Sequence, residues 1–266
     1  MLGAIIGDIA GSRFEWAGNK TKNFELFTDK CDFTDDSIMS LAVCKAILEF
    51  NDDYDDLSEK AIKYMRSVGQ YYPHHGYGAH FYRWLFKEAH PEPYNSFGNG
   101  AAMRVSACGF AAESLEQAKL FSNAVTKVSH NHPEGLKAAE AVATAIYLAR
   151  TGATIPEIRK HITENYYSLD FTLDEIRPYY QFDVTCQGST PQAIEAFLES
   201  TSFEDTIRNA VSIGGDSDTI GAMAGGIAEA YYGIPVDIRN KAMTYLDERL
   251  TPILVEFEKK YPPRIV

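Results

Sequence analysis

The sequence predicts an all-α protein, because apolar residues recur at helical spacing along most of the chain and alternating strand patterns are nearly absent. The chain has 266 residues, of which 45% are hydrophobic, so it is long enough to bury a large core. No linker-like or low-complexity stretch marks a boundary. We therefore expect a single domain over residues 1–266, built as a compact orthogonal bundle of helices.

Apolar stripes and capping signals place the individual helices. Stripes run along 38–50 and 136–148, and capping-box patterns begin at Ser114 and Thr154. Thr190-Pro191 indicates an N-cap followed by a proline in the first helical turn. The predicted helices span residues 1–15, 36–50, 57–70, 79–89, 99–112, 115–127, 133–150, 155–166, 191–200, 203–212, 218–232 and 236–258.

Glycines at four-residue spacing single out two of these helices. They are Gly3, Gly7 and Gly11 in the first helix, and Gly221 and Gly225 in a later one. A glycine inside a helix costs about 0.5–1 kcal/mol relative to alanine, but small residues at this spacing let two helix backbones approach closely. We expect helices 1–15 and 218–232 to be central and tightly packed.

The charge composition argues against a nucleic-acid-binding protein. Asp and Glu outnumber Lys and Arg by 37 to 25, and no basic cluster stands out, so a nucleic-acid partner is not expected. An anionic substrate would need positive charge from metals or backbone amides.

The apolar N-terminus has no basic flank and is interrupted by Asp8, which argues against a signal peptide or membrane span. Four widely spaced cysteines indicate reduced core thiols in a cytoplasmic protein.

Two predicted helix starts each combine two carboxylates with a threonine. They are Thr34-Asp35-Asp36 and Asp216-Ser217-Asp218-Thr219, the second preceded by two glycines. Either segment alone is typical of an ordinary N-cap with acids in the first turn. If the two helix starts face one another, their side chains would form the cage of oxygen ligands that Mg²⁺ or Mn²⁺ requires. Four clustered acids repel one another strongly unless cations neutralise them. Two ions fit this number of ligands better than one.

The chain resembles the ADP-ribosylglycohydrolase family in four ordered blocks, at 3–15, 33–37, 96–104 and 214–222, and more loosely in a fifth at 129–133. The resemblance implies that two divalent metal ions, Mg²⁺ or Mn²⁺, are bound by Thr34, Asp35, Asp36, Asp216, Asp218 and Thr219. It also implies that Glu15 is a mobile acid near the metals, and that Glu15 or Asp35 is the catalytic base.

The 96–104 block resembles the stretch that wraps the substrate diphosphate in this family. Backbone amides freed by Gly98 and Gly100 could form an anion-binding nest there. Phe97 could stack near adenosine or be buried in the core, and His130 matches a substrate-side histidine. The substrate contacts implied by the resemblance are Ser96, Phe97, Gly98, Asn99, Gly100, Met103 and His130. His132 is expected to cap a helix before Pro133 rather than to bind metal.

The resemblance implies hydrolysis of the N- or O-glycosidic bond between ADP-ribose and an acceptor, which is an ADP-ribosylated protein or a small-molecule conjugate. Arginine is the default acceptor, and serine, nucleobase and small-molecule linkages stay open. Two alternatives also stay open: a two-metal phosphohydrolase that cleaves the diphosphate, and a non-catalytic ADP-ribose-binding module. Release of phosphate instead of intact ADP-ribose would identify the phosphohydrolase. The non-catalytic binding module is disfavoured because the chain retains all the proposed metal ligands and Glu15.

Overall fold

A computed structural model of the chain describes all of residues 1–266 and confirms the all-α fold class. Its only β pairings are two isolated bridges. The helices are α1 (Leu2–Ser12), α2 (Asp35–Leu48), α3 (Tyr54–Gly69), α4 (Ala79–Phe86), α5 (Ser106–Ala111), α6 (Leu115–Thr126), α7 (Pro133–Arg150), α8 (Ile155–Asn165), α9 (Leu173–Ile176), α10 (Cys186–Leu198), α11 (Phe203–Ser212), α12 (Ser217–Tyr232), α13 (Val236–Met243) and α14 (Leu250–Lys260).

Two predicted helices are interrupted in the structure. The predicted helix 99–112 is a single 3₁₀ turn, Asn99–Ala101, followed by the separate α5, because the loop pairs with a distant segment through an Asn99 amide bond to the Val184 carbonyl. The predicted helix 236–258 divides into α13 and α14. The Asp247 carboxylate accepts hydrogen bonds from the amides of Arg249 and Leu250, both at 2.9 Å, and so begins a new helix.

Other helix ends also differ from the prediction. α10 begins at Cys186 because the Thr185 side chain accepts a hydrogen bond from the Gly188 amide, so the predicted cap at Thr190 is wrong and Pro191 lies inside the helix. The short helix α9 was not predicted. α1 ends at Ser12, which leaves Glu15 in the turn that follows it. His132 caps α7 as predicted, accepting from the Glu134 amide at 3.1 Å.

Helices α1 and α12 pack backbone to backbone, which confirms the prediction made from the glycine spacing. A Cβ atom on Gly221 would lie 2.5 Å from the carbonyl oxygen of Gly7, and Gly225 meets Gly3 in the same way. The Ser217 hydroxyl donates to the Gly11 carbonyl at 3.0 Å. No side chain larger than hydrogen fits at these glycines unless the helices move apart.

A continuous cluster of buried apolar residues surrounds this pair of helices and reaches most of the others. The four cysteines, Cys31, Cys44, Cys108 and Cys186, are all buried as free thiols. None of the helices combines the length and apolar character needed to cross a bilayer.

Candidate active site

The starts of α2 and α12 meet beside the C-terminal half of α1. Thr34 is the N-cap of α2, and its hydroxyl accepts a hydrogen bond from the Asp36 amide at 3.3 Å. Asp216 directly precedes α12. Gly214 and Gly215 lead into it with φ of 71° and 76°, a left-handed backbone that glycine adopts without strain. These local features orient the acids of both segments toward one another.

Five carboxylates form two overlapping groups. The first is Asp8, Asp36 and Asp218, and the second is Glu15, Asp216 and Asp218; within each group the oxygens lie within 4.8 Å of one another. None of the five forms an ion pair with a lysine, arginine or histidine.

One ligand atom in this cluster is conspicuously unpartnered. Oδ1 of Asp36 is buried and has no hydrogen-bond partner, while its Oδ2 accepts from the Thr219 hydroxyl at 3.1 Å. Burying a carboxylate oxygen without a partner costs free energy of folding. The side-chain groups that surround this one offer oxygen atoms, which are the ligands that hard divalent cations prefer. The cluster therefore fits divalent cations, with Asp218 shared between the two groups.

Asp35 lies beside this cluster, on the wall of the cleft. Its amide donates to the His75 carbonyl at 2.7 Å. Gly76 allows the neighbouring loop to approach, since a Cβ there would lie 2.8 Å from the Asp35 carboxylate and the φ of 98° favours glycine. Burial, followed by the charges of neighbouring acids, raises the pKa values of Asp35, Asp36 and Asp218 well above their usual range.

Asp8 belongs to the site, although sequence reasoning treated it only as a break in an apolar segment. Its carboxylate accepts hydrogen bonds from the Thr34 amide at 2.9 Å, the Thr34 hydroxyl at 2.8 Å and the Ser37 amide at 3.1 Å, and a further one from the Ser37 hydroxyl. Burial nevertheless raises the pKa of Asp8 to about 6. The available signal was a lone acid inside a fully apolar helix, which is rare without a function.

Glu15 and Trp16 form one edge of the cleft. Burial, with the charges of Asp216 and Asp8, raises the pKa of Glu15 to about 7. Trp16 is 80% exposed and stacks on Phe182, with ring centroids 4.9 Å apart. Glu15 is the most exposed of the five clustered carboxylates.

A cleft of about 610 Å³ connects the acids to the 96–104 segment, a volume suited to a nucleotide-sized ligand. The predicted residues that line it are Glu15, Asp35, Asp36, Asp216, Asp218, Thr219, Ser96, Gly98, Asn99, Gly100, Met103 and His130. Thr34 lies behind this wall, bonded to Asp8. The aromatic rings of Tyr77, Phe81 and Tyr94 also line the cleft.

Phe97 does not line the cleft. Its ring is 42% exposed and lies against His132, with centroids 5.1 Å apart. Its carbonyl accepts the Cys186 amide, which ties this part of the loop to the start of α10. The structure thus places Phe97 neither in the core nor beside the cleft, and it offers no stacking surface there.

The loop amides are arranged differently from the predicted anion nest. The Gly98 amide donates to the Ser96 hydroxyl at 3.2 Å, and the Asn99 amide donates to the Val184 carbonyl at 2.8 Å. The Asn99 side chain donates to Oδ2 of Asp216 at 2.7 Å. Two amides that were expected to face an anion are therefore occupied, one by Ser96 within the loop and one by Val184, and the Asn99 side chain faces a proposed metal ligand.

His130 lies beneath this loop, 4% exposed, with its Nε2 3.3 Å from where a Cβ on Gly100 would be. Its Nδ1 is 2.9 Å from the Ser129 hydroxyl. Burial, and then the positive charge of Arg104, lowers the pKa of His130 well below its usual value. The imidazole is therefore neutral at physiological pH.

Comparisons with known proteins give matches to one family along nearly the whole chain. A family model described as ADP-ribosylglycohydrolase matches residues 1–260. The chain is 27% identical to the ADP-ribosylhydrolase ARH3 of Xenopus tropicalis, covering 93% of this chain and 91% of the relative. The human ARH3 is 28% identical, covering 88% and 84%. A solved structure called an ADP-ribosylglycohydrolase-related protein complex shares the fold, with a TM-score of 0.68 at 21% identity, over 97% of this chain and 95% of that one.

Proposed function

This chain belongs to the ADP-ribosylglycohydrolase family and is a hydrolase of glycosidic bonds, and on that premise we propose that it uses two divalent cations to release ADP-ribose from an acceptor. The bond cleaved joins the distal ribose to the acceptor. The observation that carries the proposal is the cluster of buried, unpaired carboxylates at one end of a nucleotide-sized cleft.

The proposed metal ligands are Thr34, Asp35, Asp36, Asp216, Asp218 and Thr219. Asp8 joins them because its carboxylate oxygen lies within 4.8 Å of those of Asp36 and Asp218. When bound, the ions would supply Lewis-acid polarisation of the ribose hydroxyls and of the attacking water. Mg²⁺ and Mn²⁺ both suit an all-oxygen site. The Thr34 hydroxyl donates its proton to the Asp8 carboxylate at 2.8 Å and lies 3.3 Å from Oδ2 of Asp36.

The chain's own acids would handle the proton and the charge. Glu15 borders the cleft beside Asp216 and Asp218, so its carboxylate is positioned to accept a proton from water. Asp35 is the alternative base on the same wall. The surrounding carboxylates favour the positive charge that develops on the ribose ring as the glycosidic bond breaks.

The acceptor is proposed from the resemblance alone. Arginine-linked ADP-ribose is the default, and serine, nucleobase and small-molecule linkages would use the same anomeric carbon. The exposed Trp16–Phe182 pair at the mouth of the cleft is positioned to contact whichever acceptor leaves.

Four free thiols agree with a reducing compartment, so we place the enzyme in the cytoplasm.

The test is product analysis on arginine-, serine- and nucleobase-linked ADP-ribose, with Mg²⁺, with Mn²⁺ and with EDTA. We expect intact ADP-ribose from at least one substrate, loss of turnover in EDTA, and loss of turnover in Asp218→Asn. Asp29→Asn is the matched control, since Asp29 is an exposed acid outside the cleft. Release of AMP or phosphate would instead indicate the phosphohydrolase, and ADP-ribose binding without cleavage of any substrate would indicate a binding module.

A further inference from the structure

A cationic side chain is fully buried beneath the cleft, with no acid beside it. Arg104 is 0% exposed and forms no ion pair. Its Nη2 donates to the Ser129 hydroxyl at 2.7 Å, and its guanidinium carbon lies 5.3 Å from the centroid of the Phe81 ring. Nε and Nη1 are buried without partners. A buried charge of this kind is expensive unless a nearby anion compensates it.

Arg104 connects to the cleft through Ser129 and His130. The Ser129 hydroxyl lies between the Arg104 Nη2 and the His130 Nδ1, at 2.7 and 2.9 Å. A guanidinium can only donate, so the serine oxygen accepts from it and has its own proton left to donate. His130 Nδ1 is the acceptor in reach. When the hydroxyl donates that proton to Nδ1, the imidazole proton lies on Nε2.

Nε2 of His130 faces the floor of the cleft. It lies 3.3 and 3.7 Å from the positions that Cβ atoms on Gly100 and Gly98 would occupy, and both glycines line the cleft. The absence of side chains there leaves the donor accessible. This is the same region in which the amides of Gly98 and Asn99 are already paired within the protein.

We propose that Arg104 and Ser129 are positioning residues that hold His130 as an Nε2–H donor to the phosphate oxygens of the substrate. The buried guanidinium also contributes positive potential beneath this part of the cleft. This inference rests on the proposed function, because the phosphate is that of ADP-ribose. His130 is the residue in contact with substrate, and the other two act through it.

The first measurement is the tautomer of His130 in the full chain, by ¹⁵N NMR of the imidazole. We expect a protonated Nε2 and an unprotonated Nδ1 in the wild type, and loss of this preference in Ser129→Ala. Ser122→Ala is the matched control, because Ser122 is an equally buried serine that bonds only the Lys119 carbonyl. A proton on Nδ1 in the wild type would overturn the inference whatever the enzyme's activity.

The second measurement is ADP-ribose affinity by titration calorimetry. Ser129→Ala should weaken binding about tenfold, the usual effect of a misplaced charge-assisted hydrogen bond, and Ser122→Ala should not. His130→Gln keeps a donor near the position of Nε2 and should bind better than His130→Asn, which does not reach it. Equal affinity in the Gln and Asn variants, or equal losses in Ser129→Ala and Ser122→Ala, would contradict the inference. A wild-type protein that shows the Nε2 proton but binds no ADP-ribose would refute the proposed function instead.

Discussion

Removing divalent cations should make folding stability strongly dependent on pH, since it leaves buried carboxylates facing one another. The pKa is raised to about 6 for Asp8 and to about 7 for Glu15, and further acids in the cluster are also raised. In the unfolded chain these groups titrate near pH 4. Between about pH 4 and 7 these acids therefore bind more protons in the metal-free folded state than in the unfolded state.

The sign of the effect follows from this difference in bound protons. A folded pKa above the unfolded one gives stability that is fully present at low pH and is lost as pH rises through the folded value. For Asp8 alone, a rise from 3.8 to about 6 corresponds to about 3 kcal/mol, at roughly 1.4 kcal/mol per pKa unit. Asp205 and Asp247, whose pKa values are lowered, lose their contribution below about pH 4 and leave this window undisturbed.

The assay is urea unfolding at about pH 4.5, 6 and 7.5, in EDTA and in Mg²⁺. The lowered pKa values of His130 and His161 add stability with rising pH in both conditions alike. Relative to the profile in Mg²⁺, the free energy of unfolding in EDTA should fall by about 3 kcal/mol or more across this range, because Mg²⁺ binds the ionised acids. Asp29→Asn, an exposed acid, should follow the wild type in both conditions. Superimposable pH profiles with and without metal would refute the reasoning.

Three further substitutions test separate parts of the structure. Glu15→Gln should lower kcat by roughly 10²–10⁴ while ADP-ribose affinity changes little, measured by single-turnover cleavage and calorimetry; a wild-type rate would remove Glu15 as the base. Asn99→Ala removes the hydrogen bond to Asp216 and should weaken Mn²⁺ binding about 10–100-fold; unchanged Mn²⁺ affinity would contradict this role. Gly221→Ala should destabilise the fold by about 1–3 kcal/mol or more in urea, whereas Gly78→Ala, with open space around it, should not.

The metal-ligand candidates could be predicted because their signals are local. Thr34 and Asp216 begin helices, and capping residues, first-turn acids and flanking glycines all lie within a few positions of one another. Helical periodicity placed most helices for the same reason. Asp8 lacked such a pattern, since its donors at Thr34 and Ser37 are 26 and 29 residues away in sequence.

The parts that sequence reasoning placed wrongly depend on contacts between distant segments. The loop before α5 looked like the start of a long helix, but the 3₁₀ turn is fixed by pairing between Asn99 and Val184. The Asn99 side chain then reaches Asp216, 117 residues away, rather than the open cleft. The wrong cap at Thr190 arose because Thr185 offers a cap five residues earlier, without a distinguishing pattern.

The glycine spacing and the carboxylate site are two aspects of one arrangement. Asp8 lies on α1 between Gly7 and Gly11, and Asp218 is on α12 directly after Ser217, whose hydroxyl bonds the Gly11 carbonyl. The oxygens of Asp8 and Asp218 come within 4.8 Å only because the two backbones are in contact. Side chains on the glycines would separate these acids as well as the helices. Losses of stability and of metal affinity should therefore occur together when the contact between α1 and α12 is widened.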